Sequence, residues 1–251
     1  MTDVSEKAPL PLSYGTREAE HHGPHTFFDA DVYPAAQFED IEQQKEAATL
    51  GMWAFLATET LLFSGLFAAY VVYRNAYYDG FVAGSNHLNL WFGTINTLVL
   101  LGSSLCVALA ISEAQLNRSR GIFIYLVATI LLGLTFLVIK YFEWSHDYHL
   151  KLIPWFAWDE AKHATDLGSL ETAQQMKMFF VLYFIMTGTH AVHMVIGMTV
   201  LAVIALQARR GKYNAEYYTP VEMSGLYWHF VDVVWVFLVP TLYLINRLAA
   251  H

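Results

Sequence analysis

Five long runs of apolar residues, separated by shorter polar stretches, dominate the pattern along the chain. They lie at residues 48–74, 88–112, 120–143, 177–207 and 223–248. Each is long enough to cross a bilayer, whose hydrocarbon core takes about 20 helical residues. Because the bilayer interior offers the backbone no water, each run should form an α-helix. The pattern therefore predicts an all-α polytopic membrane protein, a bundle of five transmembrane helices spanning residues 48–251.

Composition supports this class. Hydrophobic residues make up 56% of the 251 residues and charged residues only 14%, which is too apolar for a soluble domain of this length. The net charge of −8 is concentrated in residues 1–47, which hold ten of the 22 acidic residues and three of the 14 basic ones. Nucleic-acid binding is therefore disfavoured. Cys106 is the only cysteine, so no intrachain disulfide can form, and we expect it to be a small packing residue.

Residues 1–47 are predicted to be an acidic cytoplasmic tail. No basic start leads into an apolar core, so the tail is not a signal peptide. His21, His22 and His25 cluster within it and could bind a transition metal, but a solvated segment is favoured because no further ligands follow at a defined spacing. Residues 38–49 are predicted to form a short helix leading into the membrane.

The basic residues of the connections predict the orientation. Arg118 and Arg120 lie in the second connection, and three more basic residues lie at 209–212 in the fourth. The positive-inside rule then places the N-terminus in the cytoplasm and, after five spans, the C-terminus in the periplasm of a bacterium. The long third connection, residues 144–176, is rich in aromatic residues and is predicted to lie on the membrane surface.

Two spans contain charged residues that the membrane should exclude. Glu59 lies about 16 Å into the first helix and must be neutral, paired or directed at a polar cavity. Either a functional carboxyl group or a protonated glutamic acid that is hydrogen-bonded within the bundle fits its position. Lys140 and Glu143 are three residues apart and should form a structural ion pair, with Lys140 reaching toward the membrane surface.

Three histidines also lie in the spans. His190 and His193 share a face of the fourth helix, and His229 lies on the fifth. A haem or metal site would need further ligands. The favoured interpretation is hydrogen bonding between helices, with Gly188 and Gly197 permitting their close approach.

The densest group of polar and aromatic side chains lies at residues 227–235. Trp228, Asp232 and Trp235 follow one stripe of a helix, and His229 lies three residues before Asp232. One interpretation is an interfacial aromatic belt containing a His–Asp hydrogen bond, and the other is a reactive site.

Several of these motifs together resemble subunit III of the haem-copper oxidases. They are the segment 227–235, the segment 50–59 leading into Glu59, Asn96-Thr97, Glu143-Trp144, and the His190/His193 pair. They occur in the family's order and extend over residues 50–248, nearly the whole membrane part.

The resemblance implies an accessory subunit of a proton-translocating cytochrome c oxidase, with no catalytic residue, metal or redox centre of its own. The haems and copper belong to the catalytic subunit I, and subunit II receives the electrons. The family's subunit III holds phospholipids in a cleft and supports dioxygen reduction, proton uptake and stability of the complex. Glu59 corresponds to its carboxyl-reactive glutamate. Other respiratory complexes are further candidate partners, and quinol oxidases or nitric oxide reductases are alternative complexes.

The chain departs from the seven-span form of the family because it lacks the first two helices, which form one wall of the lipid cleft. A neighbouring subunit must replace that wall, or the cleft opens to lipid. The resemblance assigns a polar lining and two headgroup contacts to this cleft. The lining candidates are Glu59, His190, His193, His229 and Asp232, and the headgroup candidates are Trp53 and Trp228.

Two hypotheses from other classes remain beside the accessory subunit. A haem-binding membrane anchor would use His190 or His193 as a ligand. A small transporter would use Glu59 as a proton relay, but paired halves and interrupted helices, which are typical of transporters, are not evident.

Overall fold

The computed structural model describes residues 37–38, 40–156, 158–213, 215 and 217–245, and these contain seven α-helices and no strand. Five helices are long and apolar enough to cross a membrane, which confirms the predicted all-α bundle. They are α1 (Ile41–Ala76), α3 (Leu90–Gln115), α4 (Ser119–His149), α6 (Leu170–Arg209) and α7 (Thr219–Tyr243). Two short helices, α2 (Tyr78–His87) and α5 (Glu160–Leu167), lie in the first and third connections.

The first membrane helix begins before the apolar run. Asp40 caps α1 by accepting a hydrogen bond from the Gln43 backbone N–H at 2.7 Å, which satisfies one of the free amides at the helix start. The helix expected near residues 38–49 is thus the first part of α1. The tail histidines and residues 1–36 lie outside the described residues.

The connections contain more helix than the pattern predicts. Since α4 continues to His149 and α6 begins at Leu170, the third connection is shorter than expected and includes α5. Asp159 caps α5 and pairs with Lys151 at 3.0 Å, and this hydrogen bond holds the pKa of the partly exposed carboxyl group below its usual value. The predicted end of the last span, residue 248, lies outside the described residues.

The helices α6 and α7 occupy the centre of the bundle. They contact each other, α3 and α4 pack against them, and α1 contacts the α6–α7 pair. Half of the most apolar 18-residue stretch of both α6 and α7 is buried, against 17% for α1. The central helices are therefore enclosed by the others, while α1 leaves most of its surface to lipid or to a neighbouring protein.

Candidate functional site

Glu59 and His193 form a pair in the middle of the bundle. The Oε2 atom of Glu59 on α1 lies 2.9 Å from Nε2 of His193 on α6, and each side chain is largely buried. On its other side the His193 ring lies 2.8 Å from the carbonyl oxygen of Thr189 through Nδ1. Phe63 packs edge-on against the ring. Of the predicted possibilities for Glu59, the structure shows a paired carboxyl group.

The Glu59–His193 contact holds a proton. A carbonyl oxygen only accepts hydrogen bonds, so the bond to Thr189 assigns a proton to Nδ1 of His193. Two acceptors would otherwise face each other at 2.9 Å, so one further proton must lie between Nε2 and the Glu59 carboxyl group. Whether that proton belongs to the acid or to the imidazolium, the pair has no net charge, which suits its place in the membrane.

The aromatic stretch at 227–235 is buried inside the bundle. Trp228 and Trp235 are both 0% exposed. The Trp228 indole N–H donates to the Ser103 hydroxyl at 3.1 Å. A Cβ added to Gly133 or Gly197 would lie 2.9 and 3.0 Å from this ring, so the two glycines make room for it. Trp228 is therefore a packing residue joining four helices, and its burial leaves it no lipid headgroup contact.

The hydrogen bond between His229 and Asp232 suggested by their spacing is not formed. His229 Nδ1 instead lies 2.7 Å from the Ser104 hydroxyl on α3. Both carboxyl oxygens of Asp232 are buried and have no hydrogen-bond partner among the described residues. The Ser104 hydroxyl also lies near this carboxyl group. The segment thus connects α7 to α3 and not to itself.

The three membrane histidines lie in separate environments. His193 contacts Glu59, whereas His229 contacts Ser104. His190 is packed between the rings of Phe136 and Trp235, and neither of its nitrogens has a partner in the described part of the chain. Hydrogen bonding between helices is therefore correct for His193 and His229 and wrong for His190. Among the described residues, no three His, Cys, Asp or Glu side chains are grouped as metal ligands would be.

Close approach of α6 to its neighbours is confirmed for one of the two predicted glycines. Gly197 lies against the Trp228 and Tyr227 rings of α7, whereas a Cβ on Gly188 would meet only an ordinary contact with Trp144 at 3.9 Å. Tyr227 also donates to the His193 carbonyl oxygen at 3.1 Å. The contact of α6 with α7 at Gly197 and Tyr227 therefore lies beside the Glu59–His193 pair.

A second polar group, which we call the lysine cluster, comprises Lys140, Glu143, Tyr183 and Tyr243. The Lys140 ammonium group donates to Glu143 Oε2 at 2.9 Å and to the hydroxyls of Tyr183 at 3.1 Å and Tyr243 at 2.9 Å. Tyr243 in turn donates to Glu143 Oε1 at 2.6 Å. The predicted ion pair is present, but Lys140 is only 3% exposed, so it points inward and does not reach the membrane surface.

The two tyrosines were not predicted, because they come from α6 and α7, far along the chain from α4. Their hydroxyls supply the acceptors that a buried ammonium group needs.

Cys106 is a free, partly exposed thiol, and Trp53 is 59% exposed on α1. The other polar seam residues lie in three places: the Glu59–His193 pair, the α3–α7 contact, and the space between Phe136 and Trp235 that His190 fills.

Comparison with known proteins points to one family. A sequence model described as "Cytochrome c oxidase subunit III" matches residues 173–246. The chain is 30% identical over 214 residues to cytochrome c oxidase subunit 3 of Thermostichus vulcanus, covering 85% of this chain and 94% of the relative. It is 31% identical over 222 residues to cytochrome c oxidase subunit 3 of Bacillus subtilis (strain 168), with 87% and 96% coverage. Quinol oxidase subunit 3 of the same strain is 31% identical over 209 residues, with 82% and 92% coverage.

Proposed function

Because the chain belongs to the subunit III family of the haem-copper oxidases, we propose that it is the accessory membrane subunit of an aerobic terminal oxidase of the cytochrome c type. In this proposal it packs beside the catalytic subunit I and the electron-accepting subunit II in the cytoplasmic membrane of a bacterium. The haems and copper belong to those partners, and this chain contributes no catalytic residue. The similarity over 85% of the chain supports the assignment.

The second candidate is the corresponding subunit of a quinol oxidase. The cytochrome c oxidase and quinol oxidase relatives from Bacillus subtilis are both 31% identical to this chain. Neither electron donor would contact this subunit directly under the proposal, so the distinction depends on the copurifying subunits.

We propose that the Glu59–His193 pair supports proton uptake and stable turnover of the complex. The observation behind this role is a carboxyl group in mid-membrane that shares one proton with an imidazole through a 2.9 Å contact. The shared proton can move between Glu59 and Nε2 of His193 without changing the net charge of the pair, because the acid with a neutral imidazole and the carboxylate with an imidazolium are both neutral. We further propose that phospholipid covers the exposed surface of α1, where Trp53 is placed for a headgroup contact.

Copurification tests the assignment. The chain is purified with an affinity tag from its own membrane, its partners are identified by mass spectrometry, and a reduced-minus-oxidised optical spectrum is recorded. We expect a haem-copper catalytic subunit to copurify and the haem signal to follow that subunit when it is dissociated. A Soret band that stays with the isolated chain and is lost in His190→Ala or His193→Ala would instead show a haem-binding anchor.

Replacing Glu59 tests the role of the pair. In Glu59→Gln the amide can still donate to Nε2 of His193, but it has no exchangeable carboxyl proton. We expect an unchanged haem spectrum with slower proton uptake or a shorter turnover lifetime. The control is Glu113→Gln, at a partly exposed carboxylate 3.7 Å from Arg118. Uptake and lifetime equal to those of the control in Glu59→Gln would remove Glu59 from the functional residues.

A further inference from the structure

A pocket of about 470 Å³ opens beside the lysine cluster, where α2 ends, α3 begins and α4 completes its last turns. Glu143, His146 and Asp147 of α4 line it, together with His87 and Asn89. Its volume falls within the range of about 300–1,000 Å³ found for small-molecule sites. We call it the Asp147 pocket.

Of the two carboxyl groups in the pocket wall, only that of Glu143 is hydrogen-bonded to a cation. Lys140 neutralises Glu143, both of whose oxygens are occupied, one by Lys140 and the other by Tyr243. Asp147 lies one turn further along α4 and is 2% exposed, and its Oδ2 atom is buried without a hydrogen-bond partner among the described residues. Leaving a buried carboxylate unpaired is costly, so a proton or a cation must complete the site.

The other lining groups favour an organic ammonium ion over a metal ion. An ammonium group donates three hydrogen bonds and accepts none, so it needs acceptors around it. Asp147 offers such acceptors. His87 Nδ1 lies 2.9 Å from the Ala83 carbonyl oxygen, so in the neutral ring Nε2 is left as an acceptor. Phe92 and Phe142 add aromatic surfaces that attract cations. In the part of the chain that the structure describes, no three His, Cys, Asp or Glu side chains lie close enough together to hold a metal ion.

The depth of the pocket in the membrane indicates which molecule supplies the ammonium group. A span of about 20 residues from the start of the apolar part of α4 reaches the region of Tyr141. Phe142 to Asp147 therefore lie at the level of the lipid headgroups. Trp91 and Phe142 beside the pocket are 74% and 62% exposed, as expected of aromatic side chains in contact with the membrane interface.

We propose that the Asp147 pocket binds the primary ammonium group of phosphatidylethanolamine, with the Asp147 carboxylate as its counter-ion. The lipid phosphate and glycerol then remain at the membrane surface, and its acyl chains lie along the exposed sides of α3 and α4. This inference rests on the membrane setting of the chain and not on which oxidase it serves.

The test measures the lipids retained by the purified complex after stepwise delipidation, using native mass spectrometry in nanodiscs of equal phosphatidylethanolamine and phosphatidylglycerol content. We expect the wild type to retain one phosphatidylethanolamine preferentially. Asp147→Asn should weaken that retention about tenfold or more, because a charge-assisted contact is lost. The control Asp166→Asn, at an exposed position on α5, should retain the lipid like the wild type. Equal retention in Asp147→Asn and the control, or no headgroup preference in the wild type, would overturn the proposal.

A second measurement needs no substitution. Phosphatidylcholine has the same charge distribution but a trimethylated nitrogen without N–H donors, so it should compete at least about tenfold less well than phosphatidylethanolamine. Equal competition by the two lipids would contradict the proposed contact. Free ethanolamine that binds while phosphatidylethanolamine does not would overturn the lipid as the source. Copurification of the haem-copper subunit is scored in the same sample, so a failed lipid result is separable from a failed functional assignment.

Discussion

Lys140 lies in a membrane-spanning helix, yet its ammonium group is held by side chains of its own helix and of two others. Glu143, Tyr183 and Tyr243 accept its three hydrogen bonds at 2.9–3.1 Å. The ring of Trp235 lies 5.1 Å from the same ammonium group. Since these residues belong to α4, α6 and α7, a single side chain fixes how three helices meet.

Replacing this lysine should therefore destabilise the bundle strongly. Lys140→Met would leave Glu143 as a buried carboxylate without its cation, at a cost of about 3–5 kcal/mol in the free energy of unfolding. Adding Glu143→Gln should recover part of that loss, because the remaining buried group is neutral. Thermal unfolding in detergent measures both changes.

Lys151→Met provides the matched control. Lys151 pairs with Asp159 at 3.0 Å, but its side chain is 55% exposed. A surface ion pair of this kind contributes less than about 1 kcal/mol. A Lys140→Met variant as stable as Lys151→Met would show that the lysine cluster does not hold the bundle together.

The ion pair between Lys140 and Glu143 could be predicted from the sequence, but the tyrosines that surround it could not. The spacing of Lys140 and Glu143 on one helix face is a local property, so it could be predicted. Their tyrosine partners are 43 and 103 residues from Lys140 along the chain, and no local pattern places them nearby. For the same reason the expected His229–Asp232 bond was wrong, because Ser104 on α3 offered His229 another partner.

At the scale of elements, the five membrane helices follow from hydrophobic length, whereas α2 does not. Its ten residues are only weakly apolar and include Gly80 and Gly84, which disfavour a helix locally. The structure shows what those glycines allow. A Cβ on Gly80 would lie 2.7 Å from the backbone of Gln175 and Met176 on α6, so α2 is a helix pressed against α6. Tertiary packing has overridden local propensity here.

The contact between α2 and α6 predicts the effect of a small substitution. Gly80→Ala places a methyl group against backbone atoms of α6, which cannot move aside as a side chain would. The substitution should therefore lower the free energy of unfolding by about 1–3 kcal/mol. Gly65→Ala is the control, because no atom lies within 4 Å of a Cβ added there. It should leave the unfolding temperature unchanged or raise it, since alanine favours helix. Equal unfolding temperatures for the two variants would show that α2 does not pack closely on α6.

At the scale of the whole molecule, the connections on one side of the bundle differ from those on the other. The turns after α3 and after α6 carry five basic residues, within the segments 118–120 and 209–212. The other side carries α2, α5 and the Asp147 pocket, and its basic residues lie among acidic ones. The positive-inside rule predicts that the basic side lies in the cytoplasm. On this prediction the pocket faces the periplasmic leaflet, and the Glu59–His193 pair lies between the two sides.

Cysteine labelling tests this orientation directly. Cys106 is the only cysteine in the sequence, so Cys106→Ala gives a background free of thiols. Single cysteines are then introduced by Asn86→Cys in α2, Gln115→Cys at the end of α3 and Ala161→Cys in α5, three exposed positions. In spheroplasts, a membrane-impermeant maleimide should label Asn86→Cys and Ala161→Cys at once and Gln115→Cys only after lysis. Labelling of Gln115→Cys alone before lysis would reverse the orientation and move the Asp147 pocket to the cytoplasmic leaflet, where the lipid it meets would have to be assayed instead.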